Sequence, residues 1–219
     1  MDEIDSFLIE NIKRLPVIAS QDQEFWLSAI ASSFRVLDAS DGRVRVSTAE
    51  MNSALLASLF AQCVESYEDL IRKGLLKGPV PSWDELLREA AMARQRITQL
   101  RLSRLFEWFG TTDSEPEDKQ SPIEAAFNIA RYLSIMPIDF LEYWHQYLST
   151  ARKHPSVTEV RAAFQQLDSA NLRIDVGAAA REAKAALVKG YSRYALRVAH
   201  GYLNSGVEYA DLVSCPRKM

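Results

Sequence analysis

His145, His154, His200, Cys63 and Cys215 carry the most reactive side chains in this sequence, and their spacing organises no chemistry. No two histidines stand four residues apart and no His-Glu-x-x-His run occurs, so helical metal ligation is not signalled. Cys63 and Cys215 lack a Cys-x-x-Cys or Cys/His companion, which argues against a zinc site or a disulfide framework. Neither a Gly-x-Gly-x-x-Gly turn nor a Walker-type glycine loop is present to cradle phosphate. The acidic run Ser-Glu-Pro-Glu-Asp (114–118) reads as solvation of a linker. Arg94, Arg101 and Arg104 fall on one face of an expected helix; they could meet phosphate, but read first as surface ion pairs. Tyr143-Trp144-His145-Gln146-Tyr147 could box a ligand, but aromatic residues at helical spacing read first as core. No catalytic residue, metal ligand or cofactor is assigned, and the expectation is a protein that is not an enzyme.

The elements that must position these residues are helices. The 219 residues are 47% apolar and 25% charged, ordinary for a globular protein, and only eight glycines and eight prolines punctuate them. Ile4, Phe7, Leu8 and Ile12 make one stripe over 4–15, which ends before Pro16. Ser20 is an N-cap with Asp22 and Glu24 in the turn that follows, and Phe25, Trp26, Ala29, Ile30, Ser33 and Phe34 form the buried face. Residues 38–48 read as a turn. The capping box Ser-Thr-Ala-Glu (47–50) opens a helix running to Lys73, with Gly74 as its stop. A second box, Ser82 with Glu85, opens a helix whose seam is Leu86, Ala90, Ala93, Ile97 and Leu100. Residues 110–122 read as an acidic mobile linker. Two helices follow at 122–134 and 137–150, broken at Pro137, and then one capped by Ser156 and Glu159. The last runs from about 177 to 204. The fold class is all-α, a multi-helix bundle.

The formal charge of −3 divides unevenly, with residues 175–219 at +3 and the rest at −6. On the last helix Lys189, Arg193, Arg197 and His200 share a face and are the candidate nucleic-acid contacts. The acidic start Met-Asp-Glu-Ile-Asp lacks the basic region of a signal peptide, and the longest nearly apolar run, 54–64, is too short for a bilayer. With two isolated cysteines, this predicts a cytoplasmic protein with no membrane partner. Oligomeric state is not assigned.

The segment from Leu187 to Val213 resembles the start of the second conserved region of the sigma-70 family, the promoter-recognition subunits of bacterial RNA polymerase. Leu187-Val188 stands for the family's opening pair and Arg193 for its arginine. Ala199, His200 and Tyr202 follow in step, then Gly206 at the turn and Asp211-Leu212-Val213 at the next helix, without a gap from Arg193. Residues 7–30 are similar to the family's preceding segment through Ile12, Pro16, Ser20, Asp22 and Glu24, with one residue inserted after Pro16. In the family these two segments pack together, often around a variable helical insertion.

The resemblance implies sigma-like N-terminal helices at 1–37, a helical insertion at 38–174 and a sigma-like helix with a truncated second helix at 175–219. It implies core RNA polymerase as the partner, gripped through Asp211, Leu212 and Val213, with a weak DNA contact. The departures bear on mechanism. Ser6, Leu8, Ile9 and Glu10 stand where the family places basic, aromatic and methionine side chains against DNA. After Asp211-Leu212-Val213 stands Ser-Cys-Pro-Arg-Lys-Met in place of the family's polar grip, and the family's melting aromatic residues would fall beyond Met219, so such a protein is not expected to melt promoter DNA alone. The competing expectation is a helical interaction module with no transcription role, working through the aromatic-rich 123–150 hairpin.

Overall fold

The structure is a computed structural model; it describes residues 20–40, 48–73, 79–110, 116–167 and 169–200. The expected helix at 4–15, the box residue Ser47, the stop Gly74 and all positions beyond His200 lie outside the described residues. Eight α-helices make up the described fold: α1 (Gln21–Ser40), α2 (Thr48–Lys73), α3 (Trp83–Arg96), α4 (Arg104–Gly110), α5 (Pro116–Ile135), α6 (Ile138–Ala151), α7 (Val157–Phe164) and α8 (Ser169–His200). No strand occurs among the described residues.

The start signals act as their chemistry dictates. Ser20 Oγ accepts from the Gln23 amide at 3.3 Å. Ser82 and Glu85 form a reciprocal capping box on α3, and Ser156 and Glu159 form another on α7. Pro137 sits at the N-cap of α6, where its missing N–H costs nothing, and its carbonyl accepts from Phe140 and Leu141. Arg152 closes α6 in the left-handed region (φ 52°), a conformation usually left to glycine.

α2 is a central spine. It packs against α5 along one side and α7 along another, while α1 lies between α5 and α8. The core follows from the apolar stripes: Trp26, Leu56, Phe60, Leu86, Trp108, Ile129, Leu133 and Trp144 are fully buried. Aromatic rings dominate one end. Trp144 meets Phe60 at 4.5 Å and Trp83 at 4.6 Å between centroids, and Phe140 lies on Phe164 at 4.4 Å. Tyr-Trp-His-Gln-Tyr thus contributes Trp144 to the core, with Tyr143 and Tyr147 half-buried beside it and His145 exposed.

Three boundaries differ from expectation. α5 starts at Pro116, inside the stretch read as an acidic linker. Proline at the first helical position followed by Glu117 and Asp118 is a start signal that the polar composition concealed. α8 begins at Ser169, so the boundary expected near 175 falls inside a helix.

The third difference is larger. The helix expected to carry Leu86 through Leu100 stops at Arg96, passes through a 3-10 turn at Ile97–Gln99 and an extended Leu100, and restarts at Arg104. Leu86, Ala90, Ala93 and Leu100 are buried as the seam predicts, yet Arg94, Arg101 and Arg104 do not share a helix face. The side chain of Arg94 is 4% exposed and bonds Asp175, Arg101 is exposed, and Arg104 pairs with Glu85 and Glu107.

Candidate interaction site

The break between α3 and α4 is held by a buried polar network. Glu89, on α3, points its carboxylate at the N-terminus of α4, where Oε2 accepts from the Arg104 amide at 2.8 Å. Oε1 accepts from the Trp26 indole at 2.8 Å and from the Ser103 hydroxyl. Ser103 caps α4 by accepting from the Phe106 amide at 3.0 Å, and its own amide donates to Asp22 Oδ1 at 2.7 Å. Gln23 Nε2 donates to the Leu100 carbonyl at 3.1 Å. Several groups that a continuous helix would have satisfied internally find partners instead on α1, on α3 and on Ser103 itself. Burial pushes the Glu89 pKa up, against the hydrogen bonds from Ser103, Trp26 and the backbone that favour the carboxylate. Three helices, α1, α3 and α4, meet at Glu89, which makes it a structural keystone.

A second polar contact ties the helices between α1 and α8 to α8 itself. Arg94 donates to the Met136 carbonyl at 2.6 Å and to Asp175 at 2.7 Å, linking α3, the α5–α6 turn and α8. A third joins the aromatic end: Trp83 Nε1 donates to His154 Nε2 at 3.0 Å, so the ring proton of neutral His154 lies on Nδ1. Desolvation lowers the His154 pKa and favours that neutral form.

α1 and α8, which contain parts of the two resembling segments (21–30 and 187–200), share the fullest helix–helix interface among the described residues. α1 runs antiparallel to α8. Tyr191, late in α8, donates to Glu24 in the first turn of α1. At the other end the Phe34 ring lies against Gly177, where an added Cβ would sit 3.3 Å from Phe34 Cε2. Glycine in mid-helix is explained by that close approach. Val176, Ala180 and Ala183 complete the buried stripe of α8.

Away from that interface Ile174 is 66% exposed and Val188 57%, and Arg181, Lys184 and Lys189 are exposed. Tyr191, 51% exposed, lies at the edge of the α1 contact, where it bonds Glu24. Of the candidate nucleic-acid contacts, Lys189 is therefore placed on the surface. Arg193, Arg197 and His200 continue the same helix, with side chains outside the described set, and Asp211, Leu212 and Val213 lie wholly outside it.

Two grooves lie on the surface of the described residues. One of about 390 Å³ between α2 and α5 is lined by Gln62, Glu65, Asp69, Glu124, Asn128 and Tyr132. The other, about 210 Å³ between α3 and α6, has Leu87, Ala91 and Leu141 as its floor and Arg88, Glu142 and His145 at its rim. Glu142 and His145 are a Glu-x-x-His pair that spacing alone could have flagged, but His145 Nδ1 lies 2.5 Å from Asp84, which also pairs with Arg88. Among the described residues no group of three or more His, Cys, Asp or Glu converges to hold a metal. Burial drives the Cys63 thiol pKa far up, so it is an inert core residue. None of the large exposed apolar side chains lies between 123 and 150, the hairpin expected to dock a partner in the competing reading. No described helix is long and apolar enough to cross a membrane. In comparisons with known proteins, no family model, no curated protein and no solved structure matches this chain.

Proposed function

We propose that this chain is a sigma-like transcription initiation protein that associates with bacterial core RNA polymerase and does not melt promoter DNA alone. One observation carries the reading. Parts of the two segments that resemble the family, 21–30 in α1 and 187–200 in α8, lie on two helices that pair with each other, and Tyr191 bonds Glu24 across them. In this reading α2 to α7, which lie between them in the chain, are the helical insertion. Generic amphipathic helices in an eight-helix bundle have many pairings open to them, and this pairing is the one the reading expects.

In this reading α8 presents the polymerase-facing end of the molecule. Asp211, Leu212 and Val213 form the grip, and Lys189, Arg193, Arg197 and His200 make a weak contact with DNA phosphate. The role is non-catalytic, and the chain modulates or marks the polymerase. A pull-down with purified core polymerase tests it. Retention at low salt that is weakened by Asp211→Ala and Leu212→Ala is the expected result. Failure of the full chain to be retained at about 50 mM salt, where electrostatic contacts are strongest, overturns the reading.

A further inference from the structure

The turn from Arg152 to Ser156, between α6 and α7, is fastened to the bundle through one histidine. Within the turn the Arg152 amide bonds back to Leu148 of α6, and Ser156 pairs with Glu159 of α7. Among the described residues, the hydrogen bond that ties this turn to any other helix runs from Trp83 Nε1, at the start of α3, to His154 Nε2 at 3.0 Å. The remaining anchorage is apolar. Pro155 is buried, and the His154 ring meets Trp83 edge-on at 5.0 Å and Trp144 at 6.2 Å between centroids.

The bond requires a neutral ring. An indole can only donate, so Nε2 must offer a lone pair and Nδ1 must hold the proton. Nδ1 is itself buried and has no partner among the described residues. A second proton on His154 would set Nε2–H against the indole N–H, donor against donor, and leave a charged ring with two N–H groups and no acceptor. The surroundings offer little compensation. Desolvation by the neighbouring rings opposes the charge, and Glu68 of α2 is the carboxylate whose field favours it. Tyr67 of α2 lies on Trp83 at 4.3 Å and donates to the Pro81 carbonyl. Asp84 of α3 pairs with Arg88 and His145, and Glu159 of α7 is engaged by Ser156 and Tyr147. Water can reach both ring N–H groups only if the turn lifts.

The fold lets the turn lift without the rest. α7 stays held by its packing on α2 and by Phe164 on Phe140 at 4.4 Å. Arg152, at φ 52°, sits in a left-handed conformation that opening relieves.

We propose that His154 is a proton-operated latch: neutral, it holds the 152–156 turn on Trp83; protonated, it frees the turn and uncovers the edges of Trp83 and Trp144, both buried when the latch is closed. This does not rest on the polymerase reading.

Amide exchange on the full chain, expressed as protection relative to an unstructured peptide, tests the latch. With a freed histidine titrating near 6.5, the opening constant can rise by up to ~30-fold between about pH 7.5 and about pH 5. Amides of Lys153, His154 and Ser156 are therefore expected to lose protection by at least ~10-fold over that interval, while α1 and α2 keep theirs. Acrylamide quenching of tryptophan fluorescence should rise over the same interval. His154→Gln retains an acceptor for Trp83 and cannot titrate, so both responses are expected to vanish. Unchanged protection of the turn in the wild type overturns the proposal, as does an equal response in His154→Gln. Loss of protection in α1 and α2 in the same step also overturns it, because the response is then global unfolding. If His154→Gln does not fold, Trp83→Phe decides: it keeps an aromatic ring without the donor, its response is expected to shrink, and a response of wild-type size overturns the latch.

Discussion

Trp26 and Glu89 are joined by an indole N–H to carboxylate hydrogen bond of 2.8 Å between residues 63 positions apart in sequence. That bond explains why α3 ends where it does. The Glu89 carboxylate that holds Trp26 of α1 also caps α4, so the chain must break between them. Glu89→Ala would leave the Ser103 hydroxyl and the Arg104 amide short of an acceptor, while the Trp26 indole keeps Ser103 Oγ at 3.1 Å. At ~1–3 kcal/mol for each buried orphan, with partial relaxation, the expected loss is about 3 kcal/mol. Urea unfolding measures it. A loss under ~1 kcal/mol would show that these donors find other acceptors.

The same residue predicts a pH dependence. The folded-state pKa of Glu89 is raised, chiefly by burial, so between its ordinary value near 4.3 and the raised value the folded state binds more proton than the unfolded one. Its contribution to stability is therefore full at low pH and is lost as pH rises through the folded value. Glu89→Gln removes that term. The stability of wild type relative to Glu89→Gln should fall as pH is raised from about 4. A flat difference curve would contradict the burial argument.

His154 runs in the opposite direction. Burial lowers its pKa, so the unfolded state takes up a proton first as pH falls below about 6.5, and stability is lost from there downward to the folded value. NMR titration of the His154 ring should give a midpoint below 6.5. An ordinary or raised midpoint would contradict the burial argument.

Arg94 and Asp175 should respond unequally to substitution. The Arg94 side chain is buried while Asp175 is 66% exposed. Arg94→Met removes a side-chain donor to the Met136 carbonyl as well as the ion pair, with an expected loss of about 2 kcal/mol. Asp175→Asn keeps an acceptor on the surface and should cost less than ~1 kcal/mol. Equal losses in chemical denaturation would place the energy in the ion pair instead.

Arg152 is the one described non-glycine residue with positive φ, at 52°. Arg152→Gly should raise stability by about 0.5–1 kcal/mol, since the left-handed strain is relieved and the Leu148 carbonyl keeps its bond from the residue 152 amide. A lower urea midpoint for the variant would show that the arginine side chain contributes packing that outweighs the strain.

Most element starts were legible because they are local. Ser82 with Glu85, Ser156 with Glu159, Ser20 and Pro137 each act within four residues, and each appears where its chemistry requires. The candidate site was less legible. Lys189 was placed on a basic face and is exposed there, but that Ile174 and Val188 reach solvent depends on α1 packing on the other side of α8.

The sequence by itself determined the all-α class, the buried stripes of α1 and α3, and the caps, because helical period and capping depend on residues within a turn or two of each other. Tertiary structure decided the rest. It stopped the α3 seam at Arg96, where no glycine or proline marks a stop, because a carboxylate and an indole from distant helices satisfy the backbone and cap groups the break exposes. It also separated Arg94 from Arg101 and Arg104. Partners of that kind are set by which helices pack together, and no local window of sequence contains them.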